Sequence, residues 1–255
     1  SNFYLNLAKY LNPEFKGFET LLAENFFRIE NYNKAKRVYD KIKKNGSAYY
    51  WYSTKQKAKI LKKLNENDKA VKLMMENFEK LKDKSIYETF DYAEFLKNNK
   101  KYEKSVGYYS EVLKSVNINH PIYAEATDGR GVAFERLGKW AEAEKDLKES
   151  LRADPNQAYV INYLAYSWIE KGINIEKSLG MLKKANELKS DDPYIIDSLG
   201  WALYKLKKYQ EAKKYLQMAV QLLPADPVIN DHFGDVLWMN NKKLQARYYW
   251  NYVLK

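Results

Sequence analysis

Residues 199–224 read LGWALYKLKKYQEAKKYLQMAVQLLP, and this stretch decides the fold. The pair Leu199-Gly200 comes first, the small Ala212 follows twelve residues later, and the large apolar Leu216 lies one helical turn beyond it. Pro224 closes the stretch, and proline ends a helix because it lacks an N–H and clashes with the preceding turn. The spacing therefore predicts two closely crossing helices joined by a short turn.

The same spacing recurs along the chain in three parallel series. A small residue on the first helix of each pair recurs as Ala23, Ala58, Ala93, Gly131, Ala165, Gly200 and Gly234. A small residue on the second helix recurs as Ala35, Ala70, Ser105, Ala143, Ser178, Ala212 and Ala246, and the large apolar position as Tyr39, Met74, Tyr109, Leu147, Leu182, Leu216 and Trp250. Neighbours in the first series are 35, 35, 38, 34, 35 and 34 residues apart. Three series in step indicate a stack of helix pairs.

This pattern resembles the tetratricopeptide repeat family, whose unit is a helix–turn–helix with a 34-residue period. The resemblance covers nearly the whole chain and is strongest from Gly131 onward. It implies an all-α, right-handed superhelical solenoid of about seven repeats behind a partial one, forming one domain over residues 1–255. The partial repeat helix is predicted at 1–15, and the repeats at 16–50, 51–85, 86–123, 124–157, 158–192, 193–226 and 227–255. We call the first helix of each repeat A and the second B.

Both ends of the chain carry an incomplete pattern. Residues 2–11 have the spacing of a B helix without its A helix, so the sequence is expected to begin within a repeat. The last predicted helix is rich in aromatic residues over 247–252, whereas terminal repeats usually have a polar outer face. We therefore expect either more chain beyond it or contact with a partner or a second copy.

A narrower resemblance rests on residues 197–204, DSLGWALY, and 226–238, DPVINDHFGDVLW. These stretches are similar to a bacterial group of multi-repeat envelope proteins. The group includes the outer-membrane lipoprotein that acts as adaptor for a carboxyl-terminal processing protease. The resemblance implies an adaptor with an envelope protease or complex as partner, in the periplasm or at the inner face of the outer membrane. The residues themselves also allow a cytoplasmic location.

No constellation that supports catalysis occurs in the sequence. There is no cysteine, and the two histidines, His120 and His232, stand alone without the spacing of a metal site. No phosphate-binding glycine loop or nucleophile elbow occurs. We therefore expect a non-enzymatic protein without cofactor or metal. No apolar run approaches 18 residues, so no membrane span is expected.

The concave face is the predicted functional surface, because A helices line it in tetratricopeptide stacks. Reading fixed offsets from the small A-helix residue in the last three repeats gives ten groove residues. They are Tyr159, Asn162, Tyr166, Tyr194, Asp197, Trp201, Tyr204, Asp231, Asp235 and Trp238. Aromatic rings beside short polar acceptors suit a peptide or protein partner. Replacing Trp201 or Tyr166 by alanine is expected to weaken partner binding and to leave the helicity of the protein intact.

Positive charge is concentrated in the first third of the chain. The net charge is +11, and residues 1–85 hold 19 basic and 10 acidic groups against 25 and 23 in the remainder. A basic patch is predicted at Lys55, Lys59, Lys62 and Lys63. The alternative function is therefore binding of nucleic acid or another anionic surface through this patch. Such binding would weaken steeply as the salt concentration rises. A solvated lysine-rich face explains the same residues without any ligand.

Overall fold

The computed structural model describes residues 2–13, 15 and 17–253. The described residues form fifteen α-helices and one 3-10 turn, Lys43–Asn45. The α-helices are α1 (Asn2–Leu11), α2 (Gly17–Arg28), α3 (Tyr32–Ile42), α4 (Ser47–Lys63), α5 (Asn67–Glu79), α6 (Ile86–Asn98), α7 (Tyr102–Ser115), α8 (Tyr123–Arg136), α9 (Trp140–Ala153), α10 (Ala158–Glu170), α11 (Ile175–Leu188), α12 (Pro193–Lys205), α13 (Tyr209–Leu222), α14 (Pro227–Met239) and α15 (Lys243–Val253). None of these helices is long and apolar enough to cross a membrane.

The predicted all-α class and the helix pairing are confirmed. From α2 onward the helices pack as consecutive helix–turn–helix pairs, with the even-numbered helices in the A position and the odd-numbered ones in the B position. The helix α1 packs on α2. Each pair buries the apolar stripe of both its helices, which neither helix could bury alone.

Contacts between Cα atoms divide the chain into two compact units, Ser1–Ser115 and Val116–Lys255. The second unit contains α8 to α15 and carries all ten predicted groove residues. Within it, α11 and α13 each pack on the A helix that follows, and α12 packs side by side with both α10 and α14. The repeat boundaries and the single continuous domain stay predictions.

The three sequence series form the cores of the helix pairs. Every member of the two small-residue series is buried, and so is every member of the large apolar series except Trp250, which is half-buried. Gly200 shows why a small residue is needed. A Cβ atom there would lie 2.7 Å from Cγ of Leu216 and 3.2 Å from its backbone nitrogen. The A and B helices can approach this closely only because Gly200 has no side chain.

One turn motif joins A to B in all seven described pairs. The turn residue has φ between 58° and 74° and is, in chain order, Glu30, Asn65, Lys100, Gly138, Gly172, Lys207 and Asn241. The next N–H always donates to the carbonyl five residues earlier, at 2.9 Å. This hydrogen bond defines the Schellman motif, which satisfies carbonyls left free at the end of a helix.

Replacing Lys207 by glycine is expected to stabilise the protein. The Lys207 backbone is left-handed at φ 61° and its side chain is exposed. The side chain therefore strains the backbone without adding packing contacts to the core. The strain relieved is about 1–2 kcal/mol, and glycine costs roughly 0.5–1 kcal/mol in lost chain entropy. We expect a net gain of up to about 1 kcal/mol in the free energy of unfolding, measured by urea denaturation. The reverse change Gly138→Lys should destabilise, and a loss of stability in Lys207→Gly would contradict the account.

Proline and aspartate fix where the last A helices begin. Pro193 and Pro227 occupy the first turns of α12 and α14, where their missing N–H has no cost. The side chain of Asp192 accepts hydrogen bonds from the first N–H groups of α12, and that of Asp226 does the same for α14. These caps stabilise the first turns of the two A helices that carry Asp197, Trp201, Asp231 and Asp235.

Candidate functional site

The ten predicted groove residues lie on three neighbouring A helices, α10, α12 and α14. Their exposure differs widely. The exposed ones are Tyr159, Tyr194, Asp231 and Trp238, the half-buried ones are Asn162, Tyr166, Tyr204 and Asp235, and the buried ones are Asp197 and Trp201. The helices therefore present a surface with a buried polar and aromatic cluster beneath it.

Asp197 and Trp201 do not lie on an open surface as their offsets implied. Their exposed fractions are 4% and 7%. The cause is α14, which packs on α12 and places His232 against both side chains. A repeat offset gives the direction of a side chain but does not reveal whether the next A helix covers it.

A buried carboxylate–imidazole pair connects α12 to α14. His232 Nδ1 lies 2.9 Å from Oδ2 and 3.1 Å from Oδ1 of Asp197. Burial raises the pKa of Asp197, and the hydrogen bond from His232 opposes that rise. A buried polar group without a partner costs free energy. Separating α12 from α14 would leave Asp197 and His232 without each other, so the pair stabilises the contact between the two helices.

Trp201 is the centre of an aromatic stack. Its ring lies 3.9 Å from the ring of His232 and 4.7 Å from that of Tyr204, within 12° and 5° of parallel. Its indole Nε1 donates to Oε1 of Glu170 on α10 at 2.8 Å. The Lys205 ammonium lies 4.6 Å from the Trp201 ring centroid, within range of a cation–π contact. Trp201 thus joins α10, α12 and α14.

Tyr166 lies at the edge of the same cluster. Its ring centroid is 6.4 Å from that of His232. Burial, with smaller contributions from the negative charges of Glu170 and Asp197, raises the pKa of Tyr166 to about 12. At neutral pH its hydroxyl is protonated, as that of an unperturbed tyrosine is, and it can donate a hydrogen bond.

The first turns of α10 and α12 carry two equivalent exposed tyrosines. Tyr159 is 57% and Tyr194 is 53% exposed. Lys189 Nζ donates to the Tyr159 hydroxyl at 3.0 Å and lies 4.3 Å from the centroid of its ring. Tyrosines supply large contact area at small entropic cost, so exposed pairs of this kind are typical of binding surfaces.

The helix α14 supplies two carboxylates and an exposed indole. Burial raises the pKa of Asp235, and the negative charge of Asp231 one helical turn away raises it further. Trp238 is 37% exposed and lies 5.5 Å from Trp250 between ring centroids. Since Asp231 disfavours the ionised form of Asp235, a cation bound here would relieve the repulsion.

Asn162 has an unsatisfied atom. Its Oδ1 is buried and has no hydrogen-bond partner among the described residues. A buried acceptor of this kind costs about 1–3 kcal/mol when it stays unpaired. This acceptor is therefore left unpaired within the described part of the chain.

Sequence reasoning did not assign His232, Glu170 or Lys205 to the site. The structure brings all three against Trp201. His232 carried a signal, because it stands two residues before Gly234, an offset that faces the interior of the stack. Glu170 and Lys205 are ordinary charged residues at helix ends, and nothing in the sequence separates them from the other charged positions.

The predicted basic patch is only partly assembled in the first unit. Lys55, Lys59 and Lys62 line a cavity of about 220 Å³, whereas Lys63 is exposed and does not line it. Lys55 forms a salt bridge with Asp91, and Glu94 lines the same cavity. The patch is therefore less positive than its lysines alone suggest.

The described residues contain no group of three or more histidine and acidic side chains placed to hold a metal ion. His120 accepts a hydrogen bond at Nδ1 from the backbone N–H of Ile122 at 3.3 Å, within the loop before α8.

Comparison with known proteins agrees with this architecture. The tetratricopeptide repeat family model matches residues 28–255. A TPR repeat-containing protein of Pseudomonas aeruginosa, PA4667, is 32% identical over 143 residues, which is 56% of this chain and 23% of that protein. The chain thus spans about a quarter of the length of this relative.

Solved structures share the fold at low sequence identity. MamA from Desulfovibrio magneticus RS-1, solved from residue 41 to its end, superposes with a TM-score of 0.57 at 16% identity, covering 66% of this chain and 93% of the solved chain. PilF of Pseudomonas aeruginosa superposes with a TM-score of 0.56 at 20% identity, covering 67% of this chain and 78% of PilF. Both likenesses concern the fold alone. Because the family model spans most of the sequence and the helices pair as its repeats do, the chain belongs to the tetratricopeptide repeat family.

Proposed function

We propose that this protein is a non-catalytic interaction scaffold that binds a peptide or protein partner on the face formed by α10, α12 and α14. The observation that carries the proposal is the combination of exposed rings with carboxylates on these neighbouring A helices. Tyr159, Tyr194 and Trp238 are exposed, and α14 also carries the exposed Asp231 and the half-buried Asp235. Tetratricopeptide repeats are typically non-catalytic, which agrees with a binding role.

The chemistry of the face favours a partner with basic and N–H-rich groups. Aromatic rings supply apolar contact area and can hold cations over their faces. The mutual repulsion of Asp231 and Asp235 would be relieved by a lysine or arginine of the partner.

The buried cluster beneath the face supports a rigid binding surface. Trp201, His232 and Asp197 hold α12 to its neighbours through stacking and hydrogen bonds. A surface that is already ordered loses less conformational entropy on association. The cluster is thus proposed to act as support, and the exposed residues as contacts.

We further propose that the protein acts in the bacterial envelope as an adaptor for a protease or another envelope complex. The support is the resemblance of residues 197–204 and 226–238 to that group and the partial similarity to a Pseudomonas aeruginosa repeat protein. Self-association through α15 is an additional proposal, supported by its exposed Leu244 and Tyr248.

The alternative function, binding of an anionic surface, rests on the cavity lined by Lys55, Lys59 and Lys62. Asp91 and Glu94 in the same cavity oppose it. Binding of nucleic acid there should weaken steeply as salt concentration rises. Binding that is absent or independent of salt would dispose of this alternative.

Photo-crosslinking tests the proposed face. We would replace Tyr194, Trp238 or the control residue Met218 by p-benzoylphenylalanine and irradiate in lysate of the native organism. Met218 is 47% exposed and lies on α13, a B helix. The same partner should crosslink at positions 194 and 238 but not at 218. Equal crosslinking at all three positions, or at 218 alone, would refute the face.

The purified partner then allows an affinity measurement. The changes Tyr194→Ala and Trp238→Ala should each weaken binding about tenfold, or about 1.4 kcal/mol, because each removes an exposed ring. Asp231→Asn should weaken it less and reduce its dependence on salt. Met218→Ala should bind as the wild type does. Calorimetric affinities that are unchanged in both ring variants would contradict the proposal.

A further inference from the structure

A cavity of about 370 Å³ lies between α13, α14 and α15 in the second unit. None of the ten predicted groove residues lines it, so it is separate from the proposed partner-binding face. Its size falls within the range of sites that hold small ligands or single side chains of a partner. Its lining combines an apolar wall, amide groups and two cations.

The two cations are Lys213 on α13 and Lys242, the residue just before α15. Both line the cavity, and the proximity of Lys242 lowers the pKa of Lys213, with burial adding to the effect. No acidic residue of the described chain lines the cavity to offset them. Two positive charges that line one cavity repel each other, and an anion bound in the cavity offsets this repulsion.

The apolar wall comes from α14 and α15. Phe233 and Tyr249 pack edge to face with their ring centroids 4.7 Å apart, and Leu237 lies beside them in the lining. Phe233 and Leu237 are almost fully buried, so the wall is anchored in the core of the last helix pair. Such a wall suits one aromatic or aliphatic side chain.

Amide groups complete the lining. Gln217 and Gln221 lie one helical turn apart on α13, and Gln245 lies on α15. Each side-chain amide can both donate and accept a hydrogen bond. This pairing capacity matches the alternating N–H and C=O groups of a peptide backbone, which a phosphate group or a lipid chain does not offer.

We propose that this cavity is a second interaction site, which binds an acidic peptide segment of a partner protein with an aromatic residue next to its carboxylates. The carboxylates pair with Lys213 and Lys242, the aromatic ring packs on the wall formed by Phe233 and Leu237, and the glutamine amides bind the peptide backbone. The face on α10, α12 and α14 carries carboxylates and would repel the same segment. The two surfaces therefore select partner segments of opposite charge.

The test uses one labelled peptide and two matched relatives. The probe is fluorescein-labelled Gly-Asp-Phe-Asp-Gly, and the relatives replace both Asp by Asn or the Phe by Ala. Fluorescence anisotropy with the full chain should show that the probe binds at least about tenfold more tightly than either relative. Side-chain amide NMR signals of Gln217, Gln221 and Gln245 should shift on addition of the probe.

Three lysine variants locate the interaction. Lys213→Gln and Lys242→Gln should each weaken probe binding about tenfold, and because each removes a repulsion between like charges, both variants should stay folded by circular dichroism. Lys214→Gln changes the charge equally one residue away, outside the cavity, and should bind as the wild type does. The proposal is overturned if the probe does not bind, if its Asn relative binds equally well, or if Lys214→Gln weakens binding as much as Lys213→Gln. Loss of binding in Tyr194→Ala but not in Lys213→Gln would assign the probe to the other face.

Discussion

Replacing Trp201 by alanine is expected to lower the free energy of unfolding by about 3–5 kcal/mol, the range for removing a large aromatic side chain from a core. Trp201 is 7% exposed and stacks on both His232 and Tyr204. Its removal also leaves Glu170 without the indole N–H that it accepts from. Urea denaturation followed by far-UV circular dichroism measures the loss.

The control for this change is Tyr194→Ala on the same helix. Tyr194 is 53% exposed, so its removal should alter the free energy of unfolding by less than about 0.5 kcal/mol. A loss below 1 kcal/mol in Trp201→Ala, on the order of a surface change, would show that α14 does not cover Trp201. From the sequence alone, Trp201→Ala should spare helicity and report on partner binding. Because Trp201 is buried, its replacement tests stability. Tyr194 and Trp238 are exposed, so their replacement tests binding.

The change Gly200→Ala is expected to destabilise by about 1–3 kcal/mol, although alanine favours helices more than glycine does. The new Cβ would lie 2.7 Å from Cγ and 3.2 Å from the backbone nitrogen of Leu216. Neither atom is the flexible end of a side chain, so α12 and α13 must move apart. Thermal and urea unfolding of the single variant measure the effect.

A glycine in open space gives the matched control. Gly180 lies within α11, and a Cβ there would meet no atom within 4 Å. Gly180→Ala should therefore stabilise by about 0.5–1 kcal/mol, through helix propensity alone. Opposite signs for the two changes would confirm close packing at Gly200. The same sign for both would mean that the small-residue series does not mark the contact between A and B helices.

Periodicity in the sequence was sufficient to predict the helix pairs. Small residues recur wherever two helices must cross closely. Gly200 and Ala212 therefore indicate from the sequence alone where α12 and α13 are in contact. The turns follow the same period, although residues as different as Glu30 and Gly172 occupy the left-handed position. That position is set by the hydrogen bonds at the helix end more than by residue type.

The site was only partly predictable. The offsets predict that the ten groove residues lie on three neighbouring A helices, and the structure places them on α10, α12 and α14. They did not separate exposed Tyr194 from buried Asp197 three residues later.

The sequence by itself determined that this protein is a series of helix pairs, which residues form their cores and which helices carry the candidate face. Those features depend on contacts within one repeat or between adjacent ones, and such contacts leave a periodic pattern. Only the tertiary structure decided that His232 buries Asp197 and Trp201, and that Lys213 and Lys242 line one cavity with the apolar Phe233 and Leu237. These outcomes depend on how much of one helix the next helix covers. The burial of a side chain between neighbouring helices is set by their packing, and no single residue or spacing in the sequence reveals it.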